Sequence, residues 1–174
     1  MALTKAQFDK FSEKDRMNRS LEGIAYWARV QSPKHSAKYN IDTFEVNLVV
    51  DKENAAKAIS YGLKVSPADK SCPDQYVTIK RKVKPGIEPS TVKPQIVDAM
   101  QKPVADDILI GNGSKIIVKF GTYWYETAGG GAGTVMFKVQ IRDLVVFKTG
   151  DRALVLDPAG FTAAQDEELK FDQA

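Results

Sequence analysis

Two stretches of alternating apolar and polar residues, joined by a run of glycines, occupy residues 110–147 and constrain the fold more than any other feature. Residues 114–126 alternate and are rich in β-branched and aromatic side chains, which is typical of a half-buried strand. Residues 134–147 repeat the pattern, with one face expected to carry Val135, Phe137, Val139 and Ile141. The linking residues 129–133 read Gly-Gly-Gly-Ala-Gly. We therefore predict a long antiparallel hairpin with a flexible tip.

The remaining elements are short. Three more strands are predicted, over residues 24–31, 43–50 and 76–83. A helix is predicted over residues 52–61, because Asp51 can cap its start and Gly62 can end it. Residues 1–20 are expected to form a loosely held arm in which Thr4 and Gln7 cap a short helix. The connector over residues 85–103 has four prolines and leaves room for one helical turn, at residues 95–100.

This order of elements predicts a mainly β fold, a five-stranded Greek-key barrel of the OB type with one or two short helices and a long C-terminal hairpin. In that fold, one sheet face and the loops after strands 1 and 4 bind oligonucleotides. The usual helix lies between strands 3 and 4, so the helix over residues 52–61 would be an insertion. Residues 1–159 are predicted to form one domain, and residues 160–174 a mobile acidic tail.

Charge is distributed unevenly along the chain. The formal net charge of +3 combines a tail of −3 with a body, residues 1–159, of +6. A basic body favours an anionic partner. Cys72 is the single cysteine, which excludes an internal disulfide and is typical of a reducing compartment. The sequence has no apolar signal core and no run of 18 apolar residues, so we expect a cytoplasmic protein without a membrane partner.

Aromatic and basic side chains interleave on the predicted strands, as in proteins that bind unpaired nucleic acid. The candidate DNA-binding residues are Tyr123, Tyr125, Trp124, Tyr26, Trp27, Tyr39, Tyr76, Lys80, Arg81, Lys82, Lys115, Lys119, Lys138 and Arg142. If Ile116, Val118 and Phe120 point inward, alternation places Tyr123 and Tyr125 outside. The alternative is that the rings stabilise the hairpin by cross-strand packing and that the lysines protect an edge strand.

Catalytic patterns are weak in this sequence. His35 is the single histidine and is expected in a loop without an acidic neighbour, so no hydrolytic triad is predicted. The glycine run is not followed by Lys-Ser or Lys-Thr, so it is not a phosphate-binding loop. Asp106 and Asp107, with Asp143 and Asp157 elsewhere, leave open a metal-dependent nuclease as a minor alternative. The main interpretation involves no catalysis, cofactor or metal.

The hairpin also resembles a known family. A Gly-Asn-Gly-Ser turn, a strand ending in aromatics, a glycine-bearing loop and a Val-Gln-Ile-x-Asp-Leu-Val strand are similar to the C-terminal hairpin of single-stranded DNA-binding proteins of tailed phages. The resemblance extends over residues 24–147, including the strand from Val77 and the connector from Pro94 to Asp98. It implies an OB-fold protein that coats single strands during replication and recombination in the host cytoplasm. It also implies contact with replication proteins through an acidic tail, although the tail here ends at Ala174 without a dense acidic run.

The sequence thus predicts a sequence-independent binder of single-stranded DNA, in which tyrosine rings stack on bases and cations follow the phosphates. A structural or interaction β-barrel that binds no nucleic acid is the alternative from another class.

Overall fold

Strands dominate the computed structural model, which describes residues 3–148 of the 174-residue chain. The three helices of this part are α1 (Lys5–Asp9), α2 (Glu13–Arg16) and α3 (Lys52–Ser60). Its strands are β1 (Arg19–Ser36), β2 (Ile41–Val49), β3 (Tyr76–Val83), β4 (Gln95–Val97), β5 (Ile108–Ile110), β6 (Lys115–Tyr125), β7 (Gly131–Asp143) and β8 (Val146–Lys148). Short 3-10 turns occupy Pro89–Thr91 and Thr127–Gly129. The predicted tail, residues 160–174, lies outside the described residues.

Six of the strands form one strongly bent sheet, in the order β3-β2-β1-β6-β7-β4, and β5 pairs separately with β8. All pairs are antiparallel except β4 with β7. The mainly β, OB-like prediction is confirmed, but the sheet has six strands rather than five and is not closed by a backbone ladder. Instead, the Thr134 hydroxyl of β7 accepts from the Lys80 N–H of β3 at 2.8 Å and donates to the Lys80 carbonyl at 3.0 Å.

The core lies inside the bend of this sheet. Its fully buried side chains come from alternate positions of the long strands, as the period of two requires. They include Leu21, Ala25, Val46, Leu48, Ile79, Ile116, Val118, Phe120, Met136 and Val139. Helix α3 covers one end of the core with Ala55 and Ala58. Its Asp51 cap and its end at Gly62, where φ is +88°, confirm the predicted start and stop.

Strand β1 is longer than predicted. It runs 18 residues to Ser36, whereas Pro33 was expected to end it near Gln31. Proline lacks the N–H that a ladder requires, but Pro33 lies where the pairing of β1 with β2 is irregular, between the Arg29 and Lys34 pairs. The missing donor therefore does not interrupt the strand.

The proline-rich connector contains a strand where a helical turn was predicted. Gln95–Val97 forms β4, the parallel edge strand beside β7, with Ile96 and Val97 buried. The prediction of helix at residues 95–100 was wrong, because burial of this apolar pair against β7 outweighs the local pattern. Parallel pairing between segments so far apart in the chain has no local signal.

Strand β7 carries a register shift that reverses the predicted faces of its first half. Phe120 pairs with Met136 and Lys119 with Lys138, so Phe137 is an extra residue. As a result Met136 is fully buried, whereas Val135 and Phe137 are only partly buried. Val139 and Ile141, beyond the shift, share one face as predicted, and both are buried. The predicted flexible tip is also wrong in part, because β7 already begins at Gly131.

The N-terminal arm is docked and not loosely held. The predicted capping box of Thr4 and Gln7 starts α1, and Phe8 on this helix is 1% exposed. The Arg19 guanidinium lies between two rings, 4.5 Å from the centroid of Phe11 and 4.4 Å from that of Tyr61. Its burial lowers the pKa of Arg19 from its ordinary value. These apolar and cation–π contacts hold the arm against α3 and the hairpin.

Candidate nucleic-acid interface

A groove of about 480 Å³ lies between β3 and the distal end of the β6–β7 hairpin. Two aromatic and three cationic side chains line it, namely Tyr123, Tyr125, Lys64, Lys80 and Lys82. Four residues with hydroxyl groups also line it, Ser66, Thr78, Thr127 and Thr134, and the rest of the lining is Leu63, Ala132 and Gly133. Within the described residues, no acidic side chain lines the groove. The lining therefore suits a polymer that carries planar groups, which can stack on the rings, and negative charges, which can pair with the lysines.

Alternation along β6 brings the two tyrosines into the groove. Ile116, Val118 and Phe120 are fully buried, and the same alternation leaves Tyr123 and Tyr125 42% and 39% exposed. The structure therefore places both rings outside the core.

Glycines opposite the tyrosines make room for the rings. Tyr123 pairs with Gly133 and Tyr125 with Gly131. A Cβ added at Gly133 would lie 2.5 Å from Tyr123 Cζ, and one at Gly131 would lie 2.5 Å from the Tyr125 hydroxyl oxygen. The end of each ring thus occupies the space of a missing side chain, and this contact fixes the position of the tyrosines across the hairpin.

The cations of β3 divide by strand alternation into two roles. Lys80 and Lys82 are exposed and line the groove, whereas Arg81 is half-buried on the opposite face. The Arg81 guanidinium donates to the Met136 carbonyl at 3.3 Å and lies 5.7 Å from the ring centroid of Phe137. Arg81 therefore joins β3 to β7 and does not reach the groove.

Trp124 lies behind the tyrosines. Its ring centroid is 5.6 Å from that of Phe8, and its side chain is only partly exposed. The Thr122 hydroxyl on the same strand donates to the Arg16 carbonyl at 3.2 Å. The N-terminal arm thus supports the tyrosine-bearing end of the hairpin from the opposite face.

The other predicted aromatics are not brought into the groove. Tyr76 is 9% exposed, and its hydroxyl donates to Asp69 at 2.8 Å, so its ring faces are not available for stacking. That hydrogen bond lowers the pKa of Asp69 and raises that of Tyr76. Tyr26 is half-buried, and burial raises its pKa. Tyr39 is 66% exposed in the turn between β1 and β2, and Trp27 lines a separate cavity.

The predicted cations of the hairpin also lie outside the groove. Lys115, Lys119 and Arg142 are exposed farther along β6 and β7. The Lys138 ammonium donates to the Gln101 side chain at 2.5 Å. None of these four side chains lines the groove, and Lys115 and Arg142 lie at the ends of β6 and β7 that are farthest from it.

The predicted surroundings of the single histidine need correction. His35 lies on β1, and pairing with β2 brings its Nδ1 within 2.7 Å of Asp42 Oδ1.

Burial raises the pKa of the Cys72 thiol to about 11, so Cys72 is a protonated side chain at neutral pH. Among residues 3–148, no three potential metal ligands come together, and Asp106 instead forms an ion pair with Lys93 at 2.7 Å. The nuclease alternative has no ligand cluster in this part of the chain.

Sequence reasoning missed Lys64. The residue follows the end of α3 without a basic run around it, and it reaches the groove because Ser66 forms a β-bridge with Tyr76 at the start of β3. The neighbouring threonines were missed for the same reason: strands distant in sequence bring them together.

Comparison with known proteins identifies the fold. Neither a scan of protein families nor a search of curated protein sequences found a match. Among solved structures, gp2.5 of bacteriophage T7, a single-stranded DNA-binding protein, aligns with a TM-score of 0.53 and 18% identity over 73% of this chain and 92% of gp2.5. The single-stranded DNA-binding protein of bacteriophage Enc34 aligns as a C-terminal truncation (TM-score 0.49, 13% identity, 71% of this chain and 85% of that one). It also aligns in its complex with single-stranded DNA (0.48, 11%, 74% and 91%).

The likeness to gp2.5 confirms, at the level of the fold, the resemblance to phage single-stranded DNA-binding proteins that the hairpin sequence predicts. In the described part of the chain, no helix has the length and apolar character needed to span a membrane.

Proposed function

We propose that this chain, which shares its fold with T7 gp2.5, binds single-stranded DNA in the groove between β3 and the hairpin. Tyr123 and Tyr125 stack on bases, and Lys64, Lys80 and Lys82 contact phosphates. Binding is independent of base sequence, because every base has a face on which a ring can stack. The observation that carries this proposal is the convergence of both exposed tyrosines with three lysines in one groove.

The spacing of the tyrosines favours an unpaired strand. Residues two apart on a β-strand are separated by about 6.6 Å, roughly twice the 3.4 Å between successive bases of a duplex strand. Successive bases can cover both rings only when the strand is extended. A duplex cannot extend in this way without losing its stacking, so we expect much weaker binding to duplex.

The biological setting follows from the resemblance. We propose that the protein coats and protects single strands during phage DNA replication and recombination, in the host cytoplasm and without catalysis. Contact of residues 160–174 with replication proteins belongs to the same proposal. Deletion of these residues should leave DNA binding in place and abolish binding to the polymerase or helicase of the same phage.

An equilibrium titration with oligo-dT of about sixteen nucleotides tests the proposal, since OB folds cover roughly 4–16 nucleotides. The three phosphate contacts in the groove contribute about −2 to the slope of log K against log salt concentration, at about −0.7 for each contact. Lys80→Gln and Lys82→Gln should each reduce the slope by about 0.7. Lys52→Gln is the matched control, because Lys52 is exposed at the start of α3 and does not line the groove.

Failure of the wild-type protein to bind at low salt, or equal affinity for the matching duplex, would refute the proposal. The barrel without nucleic-acid binding would then be the better interpretation.

A further inference from the structure

Trp27 has a backbone conformation that bulky residues rarely adopt. Its φ is +53°, in the left-handed region. The residue lies in β1 where the pairing with β2 shifts, between the Tyr26 and Arg29 pairs. Glycine is the usual residue at a positive-φ position of a bulge, and bulges redirect side chains away from the regular alternation. Tryptophan, the largest side chain, thus occupies a position at which glycine would cause no backbone strain.

Two hydrogen bonds hold Trp27 in place. Its backbone N–H donates to Asn112 Oδ1 at 2.8 Å, and its indole Nε1–H donates to the Ser71 carbonyl at 2.6 Å. The side chain is nevertheless 53% exposed. The indole is therefore fixed at one edge and open to solvent elsewhere. Strained backbone of this kind is concentrated at binding sites, where the surrounding structure maintains it.

The exposed indole borders a second cavity, of about 400 Å³. Arg29, which is exposed, and Gln31 line it from β1. Leu109, Ile110 and Asn112 form the side contributed by β5 and the following turn. A fixed indole, an apolar wall and an exposed guanidinium suit a base with its attached phosphate.

This cavity is separate from the tyrosine groove. The two share no lining residue. Asn112 precedes β6, whereas Tyr123 lies near the other end of that strand, eleven residues on. At about 3.3 Å per residue the separation is at most roughly 36 Å, which about five to six nucleotides of an extended strand, at about 6.6 Å each, would span.

We propose that Trp27 and Arg29 form a second contact point for the same single strand, with the indole stacking on a base and the guanidinium contacting its phosphate. The inference rests on the proposed function of the tyrosine groove. A strand of about four nucleotides, the lower limit for an OB fold, occupies the groove alone, and one of about sixteen reaches both sites.

The test compares Trp27→Gly with the wild-type protein on oligo-dT of the two lengths. Glycine adopts the positive φ without strain, so the variant removes the ring without penalising the backbone. We expect unchanged affinity for the short strand and about tenfold weaker binding to the long strand, within the range of a lost base stack. Trp27→Tyr, which keeps a ring, should retain most of the affinity for the long strand.

Two further measurements separate the possible failures. Tyr123→Ala should weaken binding at both lengths, and absence of binding by the wild-type protein would refute the proposed function and this inference together. Wild-type affinity of Trp27→Gly for both lengths would overturn the second site alone.

Fluorescence provides an independent measurement. In a Trp124→Phe protein the tryptophan emission comes from Trp27, and we expect the long strand to quench it. Tight binding of the long strand without quenching would also overturn the second site.

Discussion

The contact between Tyr123 and Gly133, which also lines the groove, allows the stacking role to be tested without changing Tyr123 itself. A Cβ at Gly133 would lie 2.5 Å from Tyr123 Cζ, whereas ordinary contact begins at 3.4 Å. In Gly133→Ala the end of the ring must therefore move by about 0.9 Å, the difference between these distances. Gly133 is not among the glycines of positive φ, so alanine fits the backbone.

The expected result is a loss of affinity without a loss of stability. Complete loss of one base stack is worth about 1–3 kcal/mol, and a displaced ring loses part of it, so we expect roughly fivefold weaker binding to oligo-dT. Alanine in place of glycine in a strand interior stabilises by about 0.5–1 kcal/mol, so the free energy of unfolding should not fall. Fluorescence titration and urea unfolding measure the two quantities.

A double-mutant cycle identifies the ring as the cause. Gly133→Ala should have no further effect on affinity in a Tyr123→Ala background, because the displaced ring is no longer present. Wild-type affinity of Gly133→Ala, or an equal loss in both backgrounds, would refute the role of this contact.

Three other predictions concern the elements that hold the groove. Thr134→Val removes both hydrogen bonds to β3 and should lower the free energy of unfolding by about 1–2 kcal/mol, whereas Thr134→Ser should stay within about 0.5 kcal/mol in the same urea assay; equal effects would contradict the bridging role. Phe8→Ala should cost about 3 kcal/mol of stability and alter the near-ultraviolet circular dichroism of Trp124, and an unchanged spectrum would argue against docking of the arm. Because the Tyr76 hydroxyl lowers the pKa of Asp69, its stabilisation is present above the ordinary carboxyl pKa of about 3.9 and is lost as pH falls through the lowered value. The stability difference between wild type and Tyr76→Phe should therefore shrink on acidification below about pH 4, and a difference independent of pH would contradict this coupling.

The sequence was informative where local pattern decides the structure. Strand β3 was predicted with its observed bounds, and the start of α3 follows directly from the Asp51 cap. The outward placement of Tyr123 and Tyr125 was predicted because β6 alternates without interruption over most of its length. In each case the signal lies within about a dozen consecutive residues.

Sequence expectation and structure differ where distant segments meet. No local sequence feature of β7 indicates that Phe137 is an extra residue. The register shift is visible only in the pairing of β7 with β6. Tyr76 and Arg81 carry the side chains expected of a DNA-binding strand, but the loop containing Asp69 and the carbonyl of Met136 engage them. Lys64 joins the groove through the bridge of Ser66 to β3. Tertiary pairing decided these roles, and the sequence of each segment alone does not encode it.

Photocrosslinking is the most direct test of the central claim, that bases lie on the tyrosines of the groove. Oligo-dT substituted with iodouracil would be irradiated with the protein, and the adducts located by peptide mass spectrometry. We expect adducts on Tyr123 and Tyr125 that disappear when an excess of unmodified oligo-dT competes, with Tyr39, which is more exposed but outside the groove, unmodified. Adducts that avoid both groove tyrosines while the strand remains tightly bound would contradict the account.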